Sequence, residues 1–125
     1  MAGERFMIAD ISKWQGTINW SQLATQLNLA ILKATGDING VDPYFETNVK
    51  GCVENGIPFY VYHFMRAKNV NEAKTEAQFF YNTTSRHNPL GYFVDVEGDA
   101  LIPGVAATTK AFVEELRRLG AKRTG

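Results

Sequence analysis

One cysteine, Cys52, is all that 125 residues contain, so no internal disulfide holds this chain together. Cys52 falls in an apolar helical stripe and reads as a packed core thiol. With it come only two scattered histidines, and that set lacks the ligand spacing of a zinc site. No excess of charge exists either. Thirteen basic residues balance thirteen acidic ones, and no basic run stands out, which argues against nucleic acid or an anionic membrane as partner. No apolar stretch approaches the length of a membrane span. After Met1-Ala2-Gly3-Glu4-Arg5 only six mostly apolar residues follow, too few for the core of a signal peptide. Synthesis in the cytoplasm without a classical export signal is the expectation. No glycine-rich phosphate loop follows any apolar run, which sets nucleotide binding aside, and no cofactor or metal is expected. Low-complexity segments and internal linkers are missing too, so residues 1–125 read as one domain.

What is present is alternation. Strand-like apolar runs at residues 6–11, 29–34, 59–64 and 92–96 are each followed by a helical pattern. Asn19 caps a short first helix, with Gln22 at the capping-box position and Trp20, Leu23, Ala24 and Leu27 on one face. Asp42-Pro43 opens a helix over 44–55 with the stripe Phe45, Val49, Cys52 and Val53, stopped by Gly56. A helix over 71–83 buries Ala73, Ala77 and Phe80. A last helix over 105–119 has Val105, Thr109, Phe112, Val113, Leu116 and Leu119 at helical spacing. Glu114 and Arg118 pair on its outer face, and Gly120 ends it. Four βα units in order imply an α/β fold with a parallel sheet and right-handed crossovers. They make either an open sheet or the first half of an eight-stranded β/α barrel, which takes about 250 residues.

Acids carry the chemistry. Asp95 and Glu97 lie two apart in Tyr92-Phe93-Val94-Asp95-Val96-Glu97. On a strand they point the same way, roughly 6.5 Å apart at Cα. Two acids on one face of an apolar run are costly to place. Such a pair can set a proton donor and a charge stabiliser around one bond, the arrangement of glycoside hydrolysis. Asp10 lies near the C-terminal end of the first strand, as the pair does on the fourth, and ligands of α/β folds sit at those ends. Singly, Asp10 also reads as a turn cap and Glu97 as a solvated loop residue. A receiver-type phosphoacceptor fits the length but wants an acid pair after the first strand and its phosphoacceptor after the third.

Other residues stay open on spacing alone. Lys33 shares the parity of Ile31 and Thr35, so its ammonium either sits under the carboxylates or runs out to solvent. Tyr62 and His63 have opposite parity, so only one faces a cleft. Trp14, after the first strand, either stacks on a sugar or covers the end of the barrel.

Seven segments in order resemble the glycoside hydrolase family 25 muramidases, the lysozymes of phages and many bacteria. They are Ala9-Asp10-Ile11-Ser12-Lys13-Trp14-Gln15-Gly16, Ile18-Asn19-Trp20, Leu32-Lys33-Ala34-Thr35, Val41-Asp42-Pro43-Tyr44-Phe45 with Asn48, Tyr62-His63-Phe64 and Val94-Asp95-Val96-Glu97. The resemblance implies a TIM-like barrel, no cofactor, and hydrolysis of the β-1,4 bond after N-acetylmuramic acid in peptidoglycan glycan strands. It implies that Glu97 is the general acid, that Asp95 stabilises charge beside the anomeric carbon, and that Asp10 is a further active-site acid. Configuration is then retained with help from the substrate's N-acetyl group. Tyr62 becomes the cleft residue and His63 a packed one, while Trp14, Lys33 and Asp37 join Tyr62 in substrate binding. Crowded acids raise one another's pKa, so Glu97 is expected to hold its proton near neutral pH.

Two departures from the family stand out. Gly36 replaces the glutamate common after Lys-Ala-Thr, with Asp37 one residue on as a substitute. The later strands are also missing, since residues 121–125 fall where a fifth strand should begin. The chain is therefore expected to be the N-terminal portion of a muramidase catalytic domain, weak or inactive alone. A half-barrel would expose strand edges and apolar residues such as Phe6, Ile8, Ile31 and Phe93, and the expected consequence is a homodimer or aggregation. The competing reading is a half-barrel without catalysis that self-associates or binds wall glycan.

Overall fold

Residues 8–11, 18–23, 25–38, 40–97 and 103–125 are described by the structure, a computed structural model. Strands β1 (Ile8–Ile11), β2 (Leu29–Gly36), β4 (Phe59–Met65) and β5 (Tyr92–Val96) pair in parallel in that order. Between them run α1 (Trp20–Leu23), α2 (Phe45–Glu54) and α3 (Val70–Thr84), and α4 (Val105–Leu119) follows β5. The four expected βα units are all present. A two-residue strand β3 (Gly40–Val41) is an addition, folding back antiparallel on the end of β2. Phe6 lies outside the described residues, as do Trp14, Ala24 and residues 98–102. None of the described helices is long and apolar enough to cross a membrane.

Alternation in β4 sorts the sheet into two faces. Phe59, Val61, His63 and Met65 are buried under the helices, while Tyr60, Tyr62 and Phe64 face the other way and are half-covered. The buried face meets Phe45 of α2, Phe80 of α3 and Phe112 of α4, all fully enclosed. Each such ring removes enough apolar surface from water to contribute about 2 kcal/mol. On the opposite face Ile8 is 53% exposed, and Phe93 stacks on Tyr60 at 5.0 Å.

Local signals set the helix ends. Asn19 accepts from the backbone N–H of Gln22 at 3.1 Å, so the expected cap is in place, although α1 runs only one turn. Asn69 does the same for Glu72 and starts α3 at Val70. Gly56 and Gly120 take φ of +66° and +114° after α2 and α4. Both helices then close with paired reverse bonds, Ile57 N–H to Cys52 O and Ala121 N–H to Leu116 O among them, a geometry that favours glycine.

Three details of the helices differ from the sequence reading. Val53 is 65% exposed, because α2 turns Asn48, Gly51 and Cys52 inward instead. In α4 the buried residues are Thr108, Ala111, Phe112, Glu115 and Leu116, so Val105, Thr109 and Val113 border an open groove beside Val96. Arg118 accordingly turns to Glu115 at 2.7 Å, and Glu114 pairs with Lys110 at 3.8 Å. Burial pushes the Cys52 thiol up to about 12, which keeps it an inert core group.

The end of the chain also pairs. Thr124 bridges Tyr92 in parallel, and the Val94 N–H reaches Gly125 O at 2.8 Å. The open edge expected along the whole of β5 is therefore taken along its first half.

Candidate active site

Parity brings the acids together. Asp10 on β1, Lys33 on β2, Tyr62 on β4, and Asp95 with Glu97 at the end of β5 all border one open cavity of about 780 Å³. It lies at the C-terminal ends of the parallel strands. Asp37 borders it from the turn between β2 and β3, at φ +59°, where its own Oδ1 accepts the Ile38 N–H at 2.9 Å. An aspartate tolerates that left-handed backbone because its short side chain bonds locally. Six of the seven residues singled out from the sequence thus share one cleft. The seventh, Trp14, lies outside the described residues.

A bulge decides how β2 contributes. Lys33 faces Tyr62 across the ladder, but Ala34 and Thr35 together oppose His63, so the register slips by one. Lys33 and Gly36 face the cleft, whereas Ala34 and Thr35 are both buried on the helical side. The shared parity expected of Lys33 and Thr35 is overturned here. The reason is a hydrogen bond of 2.7 Å between the Thr35 hydroxyl and Nδ1 of His63.

His63 is packed, as its parity requires, and fully buried. Its ring lies 5.1 Å from that of Phe112, and its Nε2 meets Oε1 of Glu76 at 2.6 Å. A carboxylate only accepts, so Nε2 carries the proton. The same Glu76 oxygen accepts the backbone N–H of Arg66 at 3.0 Å. A second row of polar groups therefore runs behind the sheet, directly under the cleft.

The cleft itself is electrostatically tense. Asp95 and Glu97 are in hydrogen-bonding contact at the strand end, so a charge on Glu97 opposes a charge on Asp95. Partial burial lifts the Asp95 carboxyl above its ordinary range, the Glu97 charge and hydrogen bond add to this, and Lys33 pulls the other way. Lys33 thus acts as an ammonium under the carboxylates would, but burial and Glu97 outweigh it. Tyr62 is also pushed up, first by burial and then by the charge of Asp10, to which it is hydrogen-bonded. Its hydroxyl stays protonated and donates to the Asp10 carboxylate. Asp95 and Asp42 raise it further.

Two cleft residues escaped the sequence reading. Asp42, nearly buried, borders the cavity while its Oδ1 accepts the Tyr44 N–H at 2.9 Å. In the sequence it marks the opening of α2 and belongs to the Val41–Phe45 segment, without a site role. Arg66 continues the parity of Tyr60, Tyr62 and Phe64 one step past β4 and lines the same cavity. Carrying that alternation on would have found it. Glu76, behind the sheet, lies three residues after Ala73 and four before Phe80, a helical spacing that marks it as inward-facing. Among the described residues no cluster of His, Cys, Asp and Glu is arranged to hold a metal ion.

The comparisons with known proteins agree with the geometry. The family described as glycosyl hydrolases family 25 matches residues 9–124. The chain is 36% identical over 72 residues to Lysozyme M1 of Streptomyces globisporus, covering 57% of this chain and 24% of that protein. It is 30% identical over 123 residues to the uncharacterized protein YegX of Escherichia coli O6:H1, covering 93% of this chain and 44% of YegX. The chain thus spans less than half the length of these relatives. Among solved structures it is similar to GHIP, a glycosyl hydrolase 25 of Streptococcus pneumoniae, with a TM-score of 0.89 and 28% identity. That match covers 96% of this chain and 57% of GHIP. The catalytic domain of endolysin ply40 from bacteriophage P40 of Listeria monocytogenes shares the fold, with a TM-score of 0.86 at 21% identity. It covers 96% of this chain and 61% of that one.

Proposed function

The chain belongs to family 25 of the glycosyl hydrolases, and we propose that it carries the catalytic acids of a peptidoglycan N-acetylmuramidase. The bond cut is the β-1,4 link between N-acetylmuramic acid and N-acetylglucosamine. The observation that carries this reading is the close pair Asp95–Glu97 at the strand ends, inside a cavity that Asp10, Lys33 and Tyr62 also border.

Chemistry follows from the pair's closeness. Two hydrogen-bonded carboxyls leave no room for a sugar between them, whereas a carboxylate nucleophile and its acid partner stand about 5 Å apart across the ring. The nucleophile is then the substrate's own acetamido oxygen. Glu97 gives its proton to the glycosidic oxygen as the C1–O bond breaks, and the acetamido oxygen closes on C1. Asp95, left ionised, holds the acetamido N–H and offsets the positive charge of the ring so formed. Water then attacks C1, its proton passes to Glu97, and configuration is retained. Tyr62 and Asp10 orient the sugar, and Asp37 takes the outer subsite where the family has glutamate.

In this reading the chain is the N-terminal portion of the catalytic domain, and its place of action is the cell wall. The test is muropeptide release from purified peptidoglycan, read by mass spectrometry. Reducing ends of N-acetylmuramic acid, lost in Glu97→Gln, are the expected result; ends of N-acetylglucosamine would refute it. A second reading is favoured by the open groove at Val96, Val105 and Val113 and by β1, which pairs on one side only among the described residues. Through these the chain self-associates as a half-barrel with little turnover. Light scattering after size exclusion reads that directly.

A further inference from the structure

The outer wall of the cleft hangs on a single irregularity of β2. Gly36, Asp37, Gly40, Val41 and Asp42 border the cavity there, and all five follow the bulge. β3 pairs with the last two residues of β2, Thr35 with Val41 and Gly36 with Gly40, and the Asp42 N–H reaches Ala34 O at 2.8 Å. The Asp37 N–H ties the turn to β4, donating to Phe64 O at 3.3 Å. Strict alternation from Lys33 would instead turn Thr35 into the cleft and Gly36 away from it, and the hairpin with them. Bulges beside active sites re-aim side chains in this way.

What holds the bulge lies behind the sheet. His63 gives its Nε2 proton to Glu76 at 2.6 Å, so its Nδ1 is a bare acceptor, and the Thr35 hydroxyl donates to it at 2.7 Å. All three side chains are buried. Phe80 and Phe112 pack against the same imidazole, at 5.6 and 5.1 Å, and fix its place. In the regular register Nδ1 would face the core without its donor, which is costly. An apolar residue would fill the space without choosing a register. We propose that His63 is a positioning residue for substrate: through the Thr35 hydroxyl it holds the bulge, and with it the wall from Gly36 to Asp42 that grips sugars beyond the cleaved bond. That wall stands two strands from Glu97, about 10 Å. Lys33 precedes the bulge, and Asp10, Asp95 and Glu97 lie on other strands, so the reacting groups keep their places when it relaxes. The inference rests on the muramidase reading and names what sets the length of glycan that the cleft holds.

Binding is the readout, measured by calorimetry on the full 125-residue chain carrying Glu97→Gln so that the ligand survives. The probes are soluble, stem-free peptidoglycan strands of one and of three disaccharide units. The longer strand is expected to bind about tenfold tighter, through the sugars that reach the outer wall. Thr35→Val keeps the shape, loses the hydroxyl and brings that gain to about twofold or less. Thr35→Ser loses a buried methyl, keeps the hydroxyl and retains the gain. Loss of packing alone would order the two variants the other way. Nitrogen NMR on the two histidines reads the cause: the His63 Nδ1 signal moves in Thr35→Val and stays in Thr35→Ser, with the Nε2 proton kept in both. Should Thr35→Val not fold, Thr35→Ala takes its place against Thr35→Ser. A gain that survives loss of the hydroxyl, equal losses in the two variants, an Nδ1 signal unmoved in Thr35→Val, or no gain in the parent overturns the inference and leaves the muramidase reading standing. Binding to neither strand, with no muropeptides released by the chain that retains Glu97, overturns both.

Discussion

Carboxylates occur on both sides of this sheet, and they live under opposite rules. On the cleft side Asp95 and Glu97 face each other, and burial together with the Glu97 charge lifts Asp95. On the helical side every acid has its donors. Glu76 holds His63 Nε2 and the Arg66 N–H. Glu115 holds Arg118 and Gln78, and these hydrogen bonds keep its carboxyl down at about 2. Matched acids contribute stability, whereas crowded ones give some up in exchange for a proton poised to move. The contrast separates chemistry from architecture without reference to any other protein.

Turnover is where the two sides should differ most. In the complete catalytic domain Asp95→Asn is expected to cost about 10²- to 10³-fold in muropeptide release, nearly as much as Glu97→Gln, because it removes charge opposite the developing cation. Glu115→Gln, on the helical side, should leave release within about threefold. Equal losses in the two variants would erase the distinction.

Stability should invert that order. Glu76→Ala strands His63 and the Arg66 N–H inside the core and is expected to cost about 3 kcal/mol in urea unfolding. A cost near zero would mean that water replaces the carboxylate.

The pH profiles sharpen the contrast further. Glu115 is lowered on folding, so its contribution is complete above the unfolded value of 4.5 and is lost as pH falls towards 2. Thermal melts of the parent should therefore steepen across that window relative to Glu115→Gln. Asp95 is raised, so the sign reverses: its contribution is present at low pH and is lost as pH climbs through its folded value. Asp95→Asn should consequently melt slightly higher than the parent at pH 7, by about a few tenths of a kcal/mol because the site is open to solvent, with the gain gone near pH 3. A lower melting temperature at pH 7 would mean that the pair stabilises the fold.

Much of this is legible in the sequence. The four βα units followed from alternating periods, and α4 runs over the residues that its spacing marked, 105–119. The acid pair is visible because a strand keeps residues i and i+2 on one face; the same rule says only that one of Tyr62 and His63 faces the cleft, and the family resemblance chose Tyr62. That rule failed at Thr35, where the bulge turned the chain over, because a slip of register is set by a partner 28 residues away and leaves no local mark. It was simply not carried far enough at Arg66. Val53 and the outer residues of α4 show a related limit: an apolar stripe says that a side is covered but not by what, and α2 and α4 each turn a neighbouring set of residues inward instead.

The sequence by itself determined the parallel βα order, the helix ends at Gly56 and Gly120, and the meeting of Asp10, Asp95 and Glu97 at one rim. Each follows from period, capping or parity, which act over a few residues. Tertiary structure alone decided the rest: the bulge in β2, the Thr35–His63–Glu76 row beneath the cleft, the placing of Arg66, and the burial that lifts Asp95. Those depend on distances between groups far apart in the chain and on how much water the fold leaves around them, which is why no local pattern encodes them.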